Sequence, residues 1–181
     1  LRDQGMTKLV IDIRHNAGGF DEVATALTSL FTKEKMYAFS LGVRNGKEIK
    51  SVDDRYVMAD GEFSDLEIVV LTSMSCGSAG DGLVLYLSRL PNVTVAGLTD
   101  PSGINQETGG EVYMPGNAIV AFPAGLILDE NGNPNIDIDH TRQSRNPVDI
   151  KIPLDKEAAL KIFSGEDYEL EWAMEYLNKM E

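Results

Sequence analysis

Cysteine is nearly missing from this chain. Cys76 stands alone, which excludes an internal disulfide framework and a thiolate zinc site and leaves the redox compartment open. Histidine is almost as scarce, with only His15 and His140. Cations are outnumbered, 16 Lys and Arg against 29 Asp and Glu, giving a formal net charge of −13. No basic cluster offsets that excess, so nucleic acid would be repelled and is excluded as a partner. No run approaches the roughly 18 consecutive apolar residues of a membrane span, which leaves membrane association undetermined. No signal-peptide pattern stands at the start. The chain begins at Leu1 without an initiating Met and runs quickly into a buried-looking strand. The natural N-terminus, with any targeting segment, is therefore expected upstream.

What is present fits a globular α/β protein. The 181 residues, 43% hydrophobic and 25% charged, suffice for a sizeable core. No repeat, low-complexity tract or linker divides them, so one domain is expected over 1–181, with 155–181 as its helical tail. Residues 8–14 read as a strand rich in branched apolar side chains, stopped by His15-Asn16-Ala17-Gly18-Gly19. Over 20–31 the spacing of Val23, Ala26, Leu27, Leu30 and Phe31 predicts an amphipathic helix. Two extended segments, 35–43 and 48–59, flank Asn45-Gly46, a pair suited to a tight hairpin turn.

A second buried strand is predicted at 66–71, then a loop rich in Ser, Cys and Gly, then a helix that Ser78 opens. Leu83, Val84, Leu87 and Leu90 form its apolar face, and a short strand follows at 93–97. Extended segments at 111–115 and 118–122, a turn at 129–134, and helices near 156–163 and 168–179 complete the reading. Alternating strands and helices indicate α/β.

Two segments could carry chemistry. Ser78 lies at a predicted helix N-terminus, where unpaired N–H groups and the helix dipole can stabilise an oxyanion. Small neighbours at Gly77, Ala79 and Gly80 would let a substrate backbone approach. A nucleophilic serine fits that setting. So does a plain N-cap, with Asp81 three residues on completing a capping pair. Asp12-x-Arg14-x-Asn16-x-Gly18-Gly19 is either an ordinary strand-to-helix turn or a turn whose amides face a bound carbonyl. Cys76 is either a small buried filler or a reactive thiol.

Taken together, the two segments resemble the tail-specific (C-terminal processing) serine peptidases and their tricorn-core relatives, across nearly the whole chain. Asp12-Ile13-Arg14-His15-Asn16-Ala17-Gly18-Gly19 matches the family's D-[LI]-R-x-N-x-G-G, with His15 in place of a usually small residue. Ser78-Ala79-Gly80-Asp81 matches its S-A-[SG]-[ED]. Val95-Ala96-Gly97-Leu98-Thr99 and Pro147-Val148-Asp149-Ile150-Lys151-Ile152 echo later elements in the same order. The resemblance implies a ClpP/crotonase-like spiral of β-strands crossed by α-helices. It implies Ser78 as nucleophile, an oxyanion hole from Gly18 or Gly19 and Ala79, and a peptide or unfolded protein as substrate. It also implies an extracytoplasmic setting and an upstream region that includes a PDZ-like module. No metal and no cofactor are expected, and the oligomeric state is left open.

The general base is where this chain departs from the family. The bacterial enzymes use a lysine about 25 residues after the serine, in T-x-G-K-G, whereas Asp100-Pro101-Ser102-Gly103-Ile104 has none. The tricorn-like branch uses a histidine upstream of the core and an acid near the last strands, for which Asp137 and Asp139 are candidates. His15 and His140 are alternative internal bases, and Asp81 is a supporting candidate. The expectation is a serine endopeptidase core that is nearly inactive in isolation. A non-catalytic module that binds peptides or apolar ligands is the alternative. Acyl-CoA chemistry of the crotonase kind shares the broad fold, but the D-x-R-x-N-x-G-G motif points away from it.

Overall fold

The computed structural model of the chain describes residues 2–103, 108–123, 125–134 and 146–180. Its centre is a parallel sheet of four strands in the order β1 (Lys8–Asp12), β4 (Glu67–Leu71), β5 (Val93–Gly97) and β9 (Ile150–Lys151). β4 shows why this sheet is internal. Ile68 and Val70 pack into a core with α1 (Asp21–Ser29) and α2 (Ala79–Ser88) on one face. Val69 and Leu71 pack on the other face against Ala173 and Leu177 of α4 (Tyr168–Lys179). A strand covered on both faces has no use for polar alternation, which is why 68–71 reads as a continuous apolar run.

The predicted hairpin forms as β2 (Met36–Asn45) and β3 (Glu48–Val57), closed by Gly46 at φ 66. A third antiparallel strand, β8 (Gly125–Leu128), pairs with β2. The sequence reading assigned no strand there, because only pairing with a segment some 85 residues away gives this short run its conformation. β6 (Thr108–Tyr113) and β7 (Ile119–Pro123) form a separate hairpin.

The terminal helices carry their own stop and start signals. Asp155 caps α3 (Lys156–Ser164) through the Ala158 N–H at 2.9 Å, and Gly165 ends it in the left-handed region at φ 90. Asp167 caps α4 through the Leu170 N–H.

Two expectations need correction. The apolar face of α1 is only partly the predicted one: Leu27 and Leu30 pack against the core as expected and Ala24 and Thr28 are buried, while Val23 is 65% exposed and Ala26 is also exposed. Phe31, beyond the helix end, does reach the core. The last sheet strand is shorter than 147–152. The Asp149 carboxylate takes the Val95 N–H at 2.8 Å, a bond that a longer strand would make through its backbone, and the ladder begins only at Ile150.

Candidate active site

Parallel strands deliver their loops to one edge, and crevices beyond the carboxyl ends are where such sheets bind ligands. The loop after β1 and the loop after β4 meet there, because these strands are neighbours. Asn16 O accepts the Gly77 N–H at 3.0 Å, and Ser73 Oγ donates to Arg14 O at 2.5 Å. A third loop, after β5, closes the other side. Gly103 O accepts the Ser78 N–H at 3.2 Å, and Ser102 N–H donates to Cys76 O at 2.8 Å. The serine loop is thus held between two others by backbone bonds.

Ser78 is exposed, while Gly77 and Ala79 on either side are buried. Its backbone sits at φ 51 and ψ −131 at the start of α2. That region is sparsely populated for residues with a side chain and costs on the order of 1–3 kcal/mol, so the surroundings must enforce it. The strain sits on a tight strand-to-helix turn, the kind of turn that presents a side chain outward from a sheet edge. The capping alternative is not realised: the Ser78 side chain makes no cap bond to the helix. Asp81 is only 1% exposed and accepts a hydrogen bond from Asn146 Nδ2 at 3.0 Å.

Gly18 lies against this turn. A Cβ built on it would come within 2.5 Å of Ser78 Cβ and 3.1 Å of Ala79 N, and its φ is +112. Its N–H is donated to Asn16 Oδ1 at 2.9 Å. The Gly19 N–H has no partner among the described residues, and the Ala79 N–H belongs to the first helical turn, whose donors have no carbonyl inside the helix. The smallness of Gly80 has a different reason from the predicted one. A Cβ there would meet Asn16 O at 2.5 Å, so the glycine makes room for the neighbouring loop rather than for a substrate.

Among the described residues, nothing hydrogen-bonds the Ser78 hydroxyl. His15 is exposed and makes no hydrogen bond or ion pair within that set. Asp137, Asp139 and His140 lie outside the described residues. Cys76 is fully buried, and burial pushes its thiol pKa up, so its place is that of a packed filler.

The sequence reading gave Arg14 no role, yet it is the most connected side chain near the site. It pairs with Asp12 at 2.7 Å, Asp167 at 2.7 Å and Glu169 at 3.2 Å. Hydrogen bonds from Arg14 hold the Asp12 and Asp167 carboxyls below their ordinary range, and those bonds, first from Asp167, raise the guanidinium pKa further. Spacing at alternate strand positions hinted at the Asp12 contact. No local signal marks partners 153 residues away.

Beside the turn is a pocket of about 320 Å³, lined among others by Ile13, Phe20, Val23, Leu27, Ala79 and Leu83. Among the described residues no group of His, Cys, Asp and Glu is arranged to hold a metal, and no helix is long and apolar enough to cross a membrane.

This α/β fold is shared with solved peptidase structures. A candidate peptidase from Parabacteroides merdae superposes with a TM-score of 0.71 at 24% identity, covering 94% of this chain and 52% of that one. The photosystem II D1 C-terminal processing protease gives 0.59 at 21% identity, covering 87% and 37%. Mature CPAF complexed with lactacystin gives 0.63 at 14% identity, covering 96% and 43%. This chain therefore spans about half or less of the length of these relatives. A comparison with curated proteins finds no match. The sequence profile of Peptidase family S41 matches residues 1–141, and the chain belongs to that family.

Proposed function

We propose that this chain is the acyl-transfer core of a serine endopeptidase, with Ser78 as nucleophile and the N–H groups of Gly19 and Ala79 as the oxyanion hole. The observation that carries this reading is the exposed, backbone-strained Ser78 between buried neighbours, with Gly18 packed on its Cβ. Gly18 supports the hole without donating to it, since Asn16 already takes its N–H.

In the first step Ser78 Oγ bonds to the scissile carbonyl carbon and gives its proton to a general base. The carbonyl oxygen becomes an oxyanion facing the two amides. Collapse expels the amine, which takes that proton, and leaves an acyl ester on Ser78. Water then repeats the sequence and releases the acid. A hydroxyl of ordinary pKa needs that base, and our reading is that it comes from upstream in a longer protein. The chain's short span against its relatives and the lack of a Ser78 hydroxyl partner among the described residues are consistent with this. An extended peptide or unfolded protein segment is the substrate, added along the loop edge as a strand. Our reading, from the family resemblance alone, is that the full-length protein works outside the cytoplasm, which cell fractionation would check.

The deciding experiment is fluorophosphonate labelling of this chain and of a longer polypeptide including the upstream region, each beside Ser78→Ala. We expect the longer protein to label, the substitution to abolish labelling, and the present chain to react slower by about 10²–10⁴-fold. Absence of labelling in both would replace the enzyme reading with a peptide-binding module.

A further inference from the structure

We infer that Ser102 is a positioning residue for Ser78. By gripping the Cys76 carbonyl through both its N–H and its hydroxyl, it sets the Gly103 carbonyl where it holds the Ser78 N–H, and so keeps the serine in its strained, outward conformation. This rests on the reading of Ser78 as nucleophile given above.

A residue at φ 51 and ψ −131 relaxes unless the peptide groups on either side of it are kept from turning. Each such group has a donor end and an acceptor end, and around Ser78 nearly all of them are taken. The peptide joining Cys76 and Gly77 is held at its N–H by Asn16 O at 3.0 Å. At its oxygen it is held by Ser102, from the N–H at 2.8 Å and from Oγ at 3.0 Å. The peptide joining Gly77 and Ser78 donates its N–H to Gly103 O at 3.2 Å and accepts the Gly80 N–H at 2.9 Å. The peptide joining Ser78 and Ala79 accepts the Gly82 N–H at 3.0 Å, and its own N–H is the one left for the oxyanion. Turning φ at Ser78 therefore means breaking the bond to Gly103. That carbonyl stays in place for as long as its neighbour Ser102 stays on Cys76.

The loop that carries Ser102 is itself anchored. At its start Thr99 Oγ1 accepts the Met74 N–H at 2.8 Å, so hydroxyls of this loop hold the serine loop at two points. Asp100 Oδ1 accepts the Val148 N–H at 3.0 Å, which ties the same loop to the approach to β9, and Pro101 is buried. Gly77 makes room for the grip, since a Cβ there would meet Ser102 Oγ at 2.6 Å. Ser102 itself is exposed. Its hydroxyl fills no core space, and what its bond to Cys76 adds is restraint on the turn.

Amide exchange in this chain reads the clamp, and fluorophosphonate labelling of the longer protein reads its use in the reaction. Ser102→Ala removes a hydroxyl at an exposed position and keeps the wild-type melting temperature. We expect its Ser78 amide to exchange about three- to tenfold faster, the net weight of one hydrogen bond. Labelling should slow by about 10- to 100-fold, the penalty for a misplaced reacting group. Ser102→Thr, which retains the hydroxyl, restores both. Wild-type exchange at Ser78 in the Ser102→Ala protein would overturn the clamp. Faster exchange with wild-type labelling would overturn the part of Ser102 in the reaction while leaving Ser78 as nucleophile. Equal losses in Ser102→Thr and Ser102→Ala would show that the hydroxyl is not what positions the serine. A wild-type longer protein that never labels, with the exchange effect intact, would sink the nucleophile reading and the positioning role with it.

Discussion

Gly18 and Ser78 are packed so closely that a Cβ on the glycine would sit 2.5 Å from the serine Cβ. Gly18→Ala must therefore displace the loop bearing Ser78, besides placing a side chain at φ +112. Strain of this kind costs roughly 1–3 kcal/mol before any clash is counted. Urea unfolding should show at least that loss, and fluorophosphonate labelling of the longer protein should fall with it. A Gly18→Ala protein of wild-type stability and reactivity would mean that the two loops are not in contact.

Asn16 braces the same turn from two sides, accepting the Gly18 N–H on its side chain and the Gly77 N–H on its backbone. Asn16→Ala removes only the first bond. Hydrogen exchange at the Gly18 amide should accelerate about tenfold, the equivalent of about 1.4 kcal/mol. The Gly77 amide should stay protected. An unchanged rate at Gly18 would remove Asn16 from this account.

Arg14 makes stability depend on acid in a defined sense. Asp12 and Asp167 titrate below the usual carboxylate range, chiefly because Arg14 hydrogen-bonds them. Their folded pKa values lie under the unfolded ones. Their contribution is thus complete above about pH 4 and disappears as pH falls through the depressed folded values. Arg14→Gln should cost about 1–3 kcal/mol near neutral pH. Solvent screening sets the low end of that range, since the Asp12 and Asp167 side chains are 43% and 47% exposed. In urea titrations the gap should narrow below about pH 4. A gap that stays constant from pH 7 to pH 3 would show that these ion pairs do not contribute.

Cys76 should be silent to thiol reagents in the folded protein. Its side chain is fully buried and its pKa is raised by that burial, so both access and thiolate are scarce. With an aromatic disulfide reagent, release should track unfolding across a urea series. Fast stoichiometric reaction without denaturant would contradict the packing around α2.

Much of this architecture is legible in the sequence where the signal is local. The runs at 8–12 and 66–71, the Asn45-Gly46 hairpin, and the Asp155 and Asp167 starts of the last helices each carry their own chemistry. What escapes is set by partners far away. β8 exists through β2, and Arg14 finds its acids on a helix at the other end of the chain. Val23 misled for a related reason. Periodicity marks an apolar face but not what covers it, and here that face is partly open. The sequence shows no lysine after Ser78 where the family resemblance implies one, and the positive φ at Ser78 left no composition signal beyond its small neighbours.

The bond from Arg14 to Asp167 spans 153 residues, and it gives the chain a timetable. Ribosomes deliver the strand that ends at Asp12, and Arg14 after it, well before α4. Until that helix arrives, the turn with Gly18 and Gly19 follows an arginine that lacks two of its three carboxylate partners. A polypeptide stopped at residue 165 should show this as faster amide exchange across 14–19, and equal protection would refute it. The first strand and the turn after it would in this way reach their full bracing only once a segment made some 150 residues later has folded.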